Sequence, residues 1–269
     1  MEPVPSLRGI ARDPSVILKH PLKAGKSLAN FPARKLVDPC RVAWFSKRHP
    51  ELGEVIRDVR TRGLTYLAPR SLVDLSSAVL ALDQRGIAGA IVEAGTALGG
   101  SAIVLARTKR RDRPMWIFDA FGMIPPPTDN DDEESHKRYA TIASGKSSGI
   151  GDDDVYYGYH VDLLREVTQT FVECGVEPRI ENITFVKGYY EDTMRVNFPV
   201  ALAHLDCDWY ESVMICLKQI EPHLVSGGRF VIDDYSSWSG CTAAVNEFFA
   251  GRADFEFVQK SRLHIIKRS

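Results

Sequence analysis

The chain has 269 residues, 44% of them apolar and 26% charged, and a formal net charge of −1 at pH 7. Such a balance suits one large α/β domain with an appended segment and excludes a chain too polar to bury a core. Near-neutrality argues against a general affinity for nucleic acid, which needs a basic field. Cys40, Cys174, Cys207, Cys216 and Cys241 form no CxxC pair, which points to a reducing cytoplasm rather than a disulfide scaffold. No apolar run approaches the roughly 20 residues of a membrane span, and the first ten residues lack a secretory hydrophobic region.

Residues 1–62 are rich in Pro and in basic side chains (Arg8, Arg12, Lys19, Lys23, Lys26, Arg34, Lys35, Arg41, Lys47, Arg48) and hold no strand-like run. Leu52, Val55, Ile56 and Val59 recur at helical spacing. This part reads as an N-terminal extension of short helices with a solvated basic face. Residues 63–269 read as the main domain. Its first helix, over 71–84, carries Leu72, Leu75, Val79, Leu80 and Leu82 on one side. Buried strand-like runs follow at 90–95, 115–120, 183–188, 200–206 and 228–234, with helical spacing over 101–111, 161–174 and 211–224. Alternation of this kind implies right-handed βαβ units and a parallel sheet. Runs at 255–259 and 263–267 are joined too tightly for parallel strands, so they form an antiparallel hairpin. A mostly parallel sheet closed by such a hairpin is the class I methyltransferase layout, unlike the fully parallel dinucleotide-binding sheet.

Residues 122–160 are a long polar insertion, expected to be a lid. Its acidic runs at 129–134 and 152–154 read as solvated, mobile loop rather than a metal site. Tyr139, Tyr156, Tyr157 and Tyr159 are more than a solvated linker needs, and are expected to close over a substrate. Neither GKS string, at 25–27 or 145–147, is a phosphate loop: the positions that need Gly hold His20 and Ala140.

The segment from Ile91 to Ser101 runs from strand to helix with Glu93, Gly95, Gly99 and Gly100 in E-x-G-x-x-x-G-G spacing, not G-x-G-x-x-G. Gly95 turns the chain off the strand, and Gly99–Gly100 permit close approach of a ligand. Amides around Thr96, Gly100 and Ser101 then suit an anion, expected to be the carboxylate of S-adenosylmethionine. Glu93 is expected near its ammonium or sulfonium end. Asp119 ends the next strand, where a carboxylate can accept two ribose hydroxyls. Gly188 and Tyr189, after the third strand, lie toward the adenine.

The next two strand ends read LDCDWYES and VIDDY. In the class I order these strands are adjacent, about 4.8 Å apart, which brings Asp206, Asp208, Asp233 and Asp234 together. Acids so crowded repel, and some protonate unless a cation is present. A hard divalent ion such as magnesium resolves this, and no His/Cys set has zinc spacing. The alternative is that some of these acids cap helices.

The runs TYLAPRSLVDL, IVEAGTALGGS, WIFDAFGMIP, FVKGYYEDT, AHLDCDWYES, SGGRFVIDDY and CTAAVNE resemble the macrocin O-methyltransferase family of bacterial natural-product enzymes, over residues 60–269. The resemblance implies Mg2+ on Asp206, Asp233 and Asp234, Asp208 as general base, and methyl transfer from S-adenosylmethionine to a sugar hydroxyl of an antibiotic-type metabolite. The chain departs from the family pattern at Cys207, at Ala120 and in the longer lid, which bear on the substrate. A phenolic or catechol-type acceptor is the alternative, and a silent S-adenosylmethionine-binding partner a further one. Three histidines compete for the base role: His136 and His160 in the lid, and His204, which reads as a satisfied buried side chain. The expected partners are a small-molecule substrate and further copies of the chain.

Overall fold

The computed structural model describes residues 31–151 and 154–268. The basic residues from Arg8 to Lys26, and Asp152 and Asp153 of the second acidic run, lie outside them. The chain divides into two units, residues 1–40 and 41–269; the following concerns the second.

Helix α1 (Phe31–Arg48) is followed by α2 (Pro50–Thr61) and α3 (Pro69–Gln84). Both α2 and α3 begin on Pro, whose fixed φ and missing N–H suit a first helical turn. Ile56 and Val59 of α2, assigned by sequence to the extension, share one core with Leu72, Leu75 and Val79 of α3. Burying each such Leu contributes about 2 kcal/mol.

The sheet follows: β1 (Ala90–Ala94), β2 (Met115–Asp119), β3 (Ile183–Lys187), β4 (Val200–Leu205), β5 (Leu224–Ile232), β6 (Phe255–Gln259) and β7 (Leu263–Lys267). Its spatial order is β3-β2-β1-β4-β5-β7-β6. Pairs from β3 to β5 are parallel, while β7 joins β5 and β6 antiparallel. Every residue of β1 and β4 is buried, as central parallel strands covered on both faces require. One face, with Ile91, Ile117, Leu202 and Val231, packs on α3, α4 (Gly100–Thr108) and α6 (Leu163–Glu173). The other, with Val92, Phe118, Ala203 and Phe230, packs on α8 (Tyr210–Ile220) and α9 (Ser239–Phe248). Strand order reverses between β1 and β4, which opens a crevice at their C-terminal ends.

Two expectations shift. The lid is not a structureless loop: α5 (Glu133–Ala143) lies within it, capped by Asp132, whose side chain accepts the Ser135 N–H, with Glu133 and Glu134 in the first turn. The acidic run is therefore a helix start, where cap and dipole both favour carboxylates. The helix expected over 211–224 ends at Ile220, because Pro222 forces a 3-10 turn (Glu221–His223), and β5 begins directly after it. The short α7 (Tyr190–Thr193) follows β3.

Candidate active site

The crevice holds a cavity of about 540 Å³. One wall is the turn after β1. Gly95 has φ 86°, and a Cβ there would stand 1.8 Å from the Asp206 carbonyl oxygen, so only Gly lets this turn lie against the end of β4. Gly99, at φ 88°, starts α4. Gly100 is needed for a different approach than expected: a Cβ would lie 2.5 Å from the Leu64 carbonyl oxygen, which accepts the Gly100 N–H at 2.9 Å. It packs the helix onto the chain before α3 rather than onto the cavity.

Asp119 ties β2 to this turn. Its Oδ2 accepts the N–H of Thr96 at 2.7 Å and of Ala97 at 3.1 Å, and its Oδ1 that of Phe121 at 2.6 Å. Desolvation raises its pKa although the three N–H groups oppose this. Gly95, Asp119, Gly188 and Tyr189 line the cavity; Glu93, Thr96, Gly100 and Ser101 are buried and do not. Glu93 instead accepts the Thr96 hydroxyl at 3.2 Å on Oε2 and faces His204 Nδ1 at 2.9 Å with Oε1.

The acids meet as their strand positions require. The Asp206 N–H donates to Ala94 O and that of Asp233 to Leu205 O, both at 2.9 Å, so each acid continues a strand ladder into the cavity. Asp208 sits at φ 55°, a left-handed conformation that Asp tolerates better than most residues, and its N–H reaches Asp234 Oδ2 at 3.3 Å. All four carboxylates are on the cavity wall. Desolvation first, then neighbouring acids, push Asp206 and Asp234 far above the usual carboxylate range. Desolvation lifts Asp208 to about 6 against a Trp238 hydrogen bond, with the Asp233 charge adding to the rise. For Asp233, desolvation is outweighed by His204 and Arg262, and its pKa falls. Arg262, in the β6–β7 turn, donates from Nε to Asp233 Oδ1 at 2.5 Å. Among the described residues, Asp206 and Asp233 bring donor atoms within 4.8 Å of each other and of His204, a spacing a divalent cation fits, while Asp208 and Asp234 line the same cavity outside that group.

His204 is fully buried, as expected, but only half satisfied. Nε2 has no hydrogen-bond partner and stands 3.8 Å from Asp233 Oδ1. Desolvation opposes a proton on this ring, yet the Asp233 and Glu93 carboxylates outweigh it and raise the pKa to about 9. His136 Nε2 lies 3.1 Å from Thr128 O, and His160 pairs with Glu166 at 2.5 Å. Neither lines the cavity.

The facing wall is the lid. Of its tyrosines, Tyr156 and Tyr157 line the cavity and Tyr139 and Tyr159 do not; the Tyr159 hydroxyl donates to Ile142 O at 2.5 Å. Desolvation raises both cavity tyrosines and keeps them neutral phenols. Three contacts hold the lid to the acid-bearing loops: Tyr210 N–H to Asp131 Oδ1 at 2.8 Å, Trp209 Nε1–H to Pro125 O at 3.0 Å, and the Ser239 hydroxyl to Asp132 Oδ2 at 2.5 Å. Asp131, in a run read as solvated, is therefore buried, serving the α8 N-terminus. Sequence reasoning also missed Arg262, Tyr66, Trp209 and Trp238 on the wall. The aromatic residues next to the LDCD motif were a usable signal; Arg262 had none.

A model of the macrocin O-methyltransferase family (TylF) matches residues 37–256. The chain is 25% identical over 235 residues to demethyldecarbamoylnovobiocin O-methyltransferase of Streptomyces niveus, covering 83% of this chain and 82% of the relative. It is 29% identical over 215 residues to mycinamicin III 3''-O-methyltransferase of Micromonospora griseorubida, covering 77% of each. Among solved structures it is similar to the O-methyltransferase NovP, with a TM-score of 0.62 and 24% identity over 77% of this chain and 82% of that one. That likeness agrees with the sheet order in giving a class I methyltransferase fold. With the family match spanning most of the sequence, the chain belongs to the macrocin O-methyltransferase family and is an O-methyltransferase.

Proposed function

We propose that the chain transfers the methyl group of S-adenosylmethionine to a sugar hydroxyl of a glycosylated natural product, with Mg2+ held by Asp206, Asp233 and Asp234 and Asp208 as general base. The acid cluster carries this reading: four carboxylates share one wall, burial and mutual repulsion raise three of them, and a dication would let them ionise together. When bound, the donor supplies an electrophilic methyl group and the ion supplies positive charge that makes a hydroxyl easier to deprotonate.

The chain's own residues do the rest. Gly95 lets the turn after β1 close against the end of β4, the remaining lone pair of Asp119 accepts a ribose hydroxyl, and Gly188 and Tyr189 bound the adenine side. Asp208 takes the acceptor proton, a step that typically contributes about 10²–10⁴-fold. Tyr156, Tyr157, Trp209 and Trp238 exclude water and offer flat apolar faces to the acceptor. Holding acceptor and donor in line supplies much of the remaining acceleration. The same aromatic wall suits a phenolic acceptor, the second reading. The two relatives are named for methylating demethyldecarbamoylnovobiocin and mycinamicin III, which favours an antibiotic-type metabolite.

The test incubates the full chain and S-adenosylmethionine with panels of glycosylated and phenolic acceptors, with magnesium or a chelator, and follows methylation by mass spectrometry. Magnesium-dependent methylation of a sugar hydroxyl is the expected result. Methylation restricted to phenols would replace the acceptor assignment, and full activity in chelator would remove the metal from it.

A further inference from the structure

We infer that His204 is a fourth protein ligand of the ion, bound through Nε2 beside Asp206 and Asp233, so that the site favours a borderline transition ion such as Co2+ more than an all-carboxylate site would. The inference rests on the metal reading above.

His204 and Asp206 lie two residues apart at the end of β4 and so point to the same side of the sheet. A Glu93 carboxylate, paired with His204 across β1 and β4, has only acceptors to offer, so the 2.9 Å contact to its Oε1 assigns the ring proton to Nδ1. Nε2 then aims at Asp233 with no hydrogen-bond partner, although the residue is fully buried. An unmatched buried polar atom costs about 1–3 kcal/mol. Metal-binding imidazoles characteristically donate their other N–H to a carboxylate, and Glu93 is placed to receive it. This gives Glu93 a use that its distance from the cavity wall otherwise leaves open.

The spacing also suits an ion. One donor atom from each of His204, Asp206 and Asp233 lies within 4.8 Å of the others. With bonds of about 2.1 Å, adjacent vertices of an octahedron are about 3.0 Å apart and opposite ones about 4.2 Å. The 3.8 Å between Nε2 and Asp233 Oδ1 is too long for a hydrogen bond but within the roughly 4.2 Å that can separate two donors on one ion. Imidazole suits the later transition ions, whereas carboxylate and water suit magnesium and manganese. The competing arrangement is an imidazolium paired with Glu93 and Asp233.

Pulsed EPR on the full chain loaded with Mn2+, without methyl donor, separates the two. Directly bound imidazole gives nitrogen modulation of the Mn2+ signal, which changes on 15N-histidine labelling and disappears in His204→Gln. That variant is also expected to lose about tenfold in Co2+ affinity and less than about threefold in Mg2+ affinity by calorimetry. Bound Mn2+ without nitrogen modulation in the wild-type chain overturns the inference and leaves the carboxylate site intact. Modulation that persists in the variant overturns it too. Failure of the wild-type chain to bind any of the three ions overturns the metal reading itself.

Discussion

The two walls of the cavity are held by different means. On the strand-end wall, Asp206 and Asp233 extend ladders through backbone N–H groups that bond into neighbouring strands, while Asp119 ends β2 and its carboxylate takes the Thr96 N–H. On the lid wall, Tyr156 and Tyr157 belong to a long insertion attached through Asp131, Asp132 and Trp209. The first wall has little freedom, which is what crowded, desolvated acids need if charge is to be stabilised without reorganisation. The second can be exchanged or loosened without disturbing the sheet. On the proposed function, the chemistry would then belong on the strand ends and acceptor choice on the lid.

Substitutions that separate the walls should differ in size and in kinetic signature. Asp208→Asn is expected to cut kcat by about 10²–10⁴-fold while calorimetry finds donor binding within about twofold of wild type. Turnover that survives would remove Asp208 from the base role. Gly95→Ala meets both a positive φ and the Asp206 carbonyl, so urea midpoints should report about 2–4 kcal/mol of lost stability together with weaker donor binding. A wild-type midpoint would mean that the turn has room to move. Asp131→Ala strands the Tyr210 N–H, worth about 1–3 kcal/mol. Acceptor KM should rise with kcat less affected, and hydrogen exchange should speed up within residues 122–160 but not in β1 or β4. Equal loss of kcat and kcat/KM would show that the walls are not separable. Trp209→Phe removes the bond to Pro125 O, about 1 kcal/mol, and trims the ring that meets Trp238 on the cavity wall, and should raise acceptor KM less than tenfold.

Much of the strand-end wall was legible before any coordinates. Buried runs ending in Asp119, Asp206 and Asp233 are local patterns, and a hairpin too short for parallel strands located the sheet's far edge. The lid was less legible, because α5 depends on a cap and a charged first turn that look like a solvated loop in a polar stretch. Arg262 was invisible: nothing near it in the chain signals a partner.

Sequence by itself determined which residues end strands and that four acids would converge, since both follow from periodicity and strand order. Only the tertiary structure decided which acid is held ionised and where Glu93 points. Asp233 meets Arg262 across 29 residues, and Glu93 meets His204 across 111. Charge and desolvation act through space at a few ångströms, and no pattern of spacing along the chain encodes such distances.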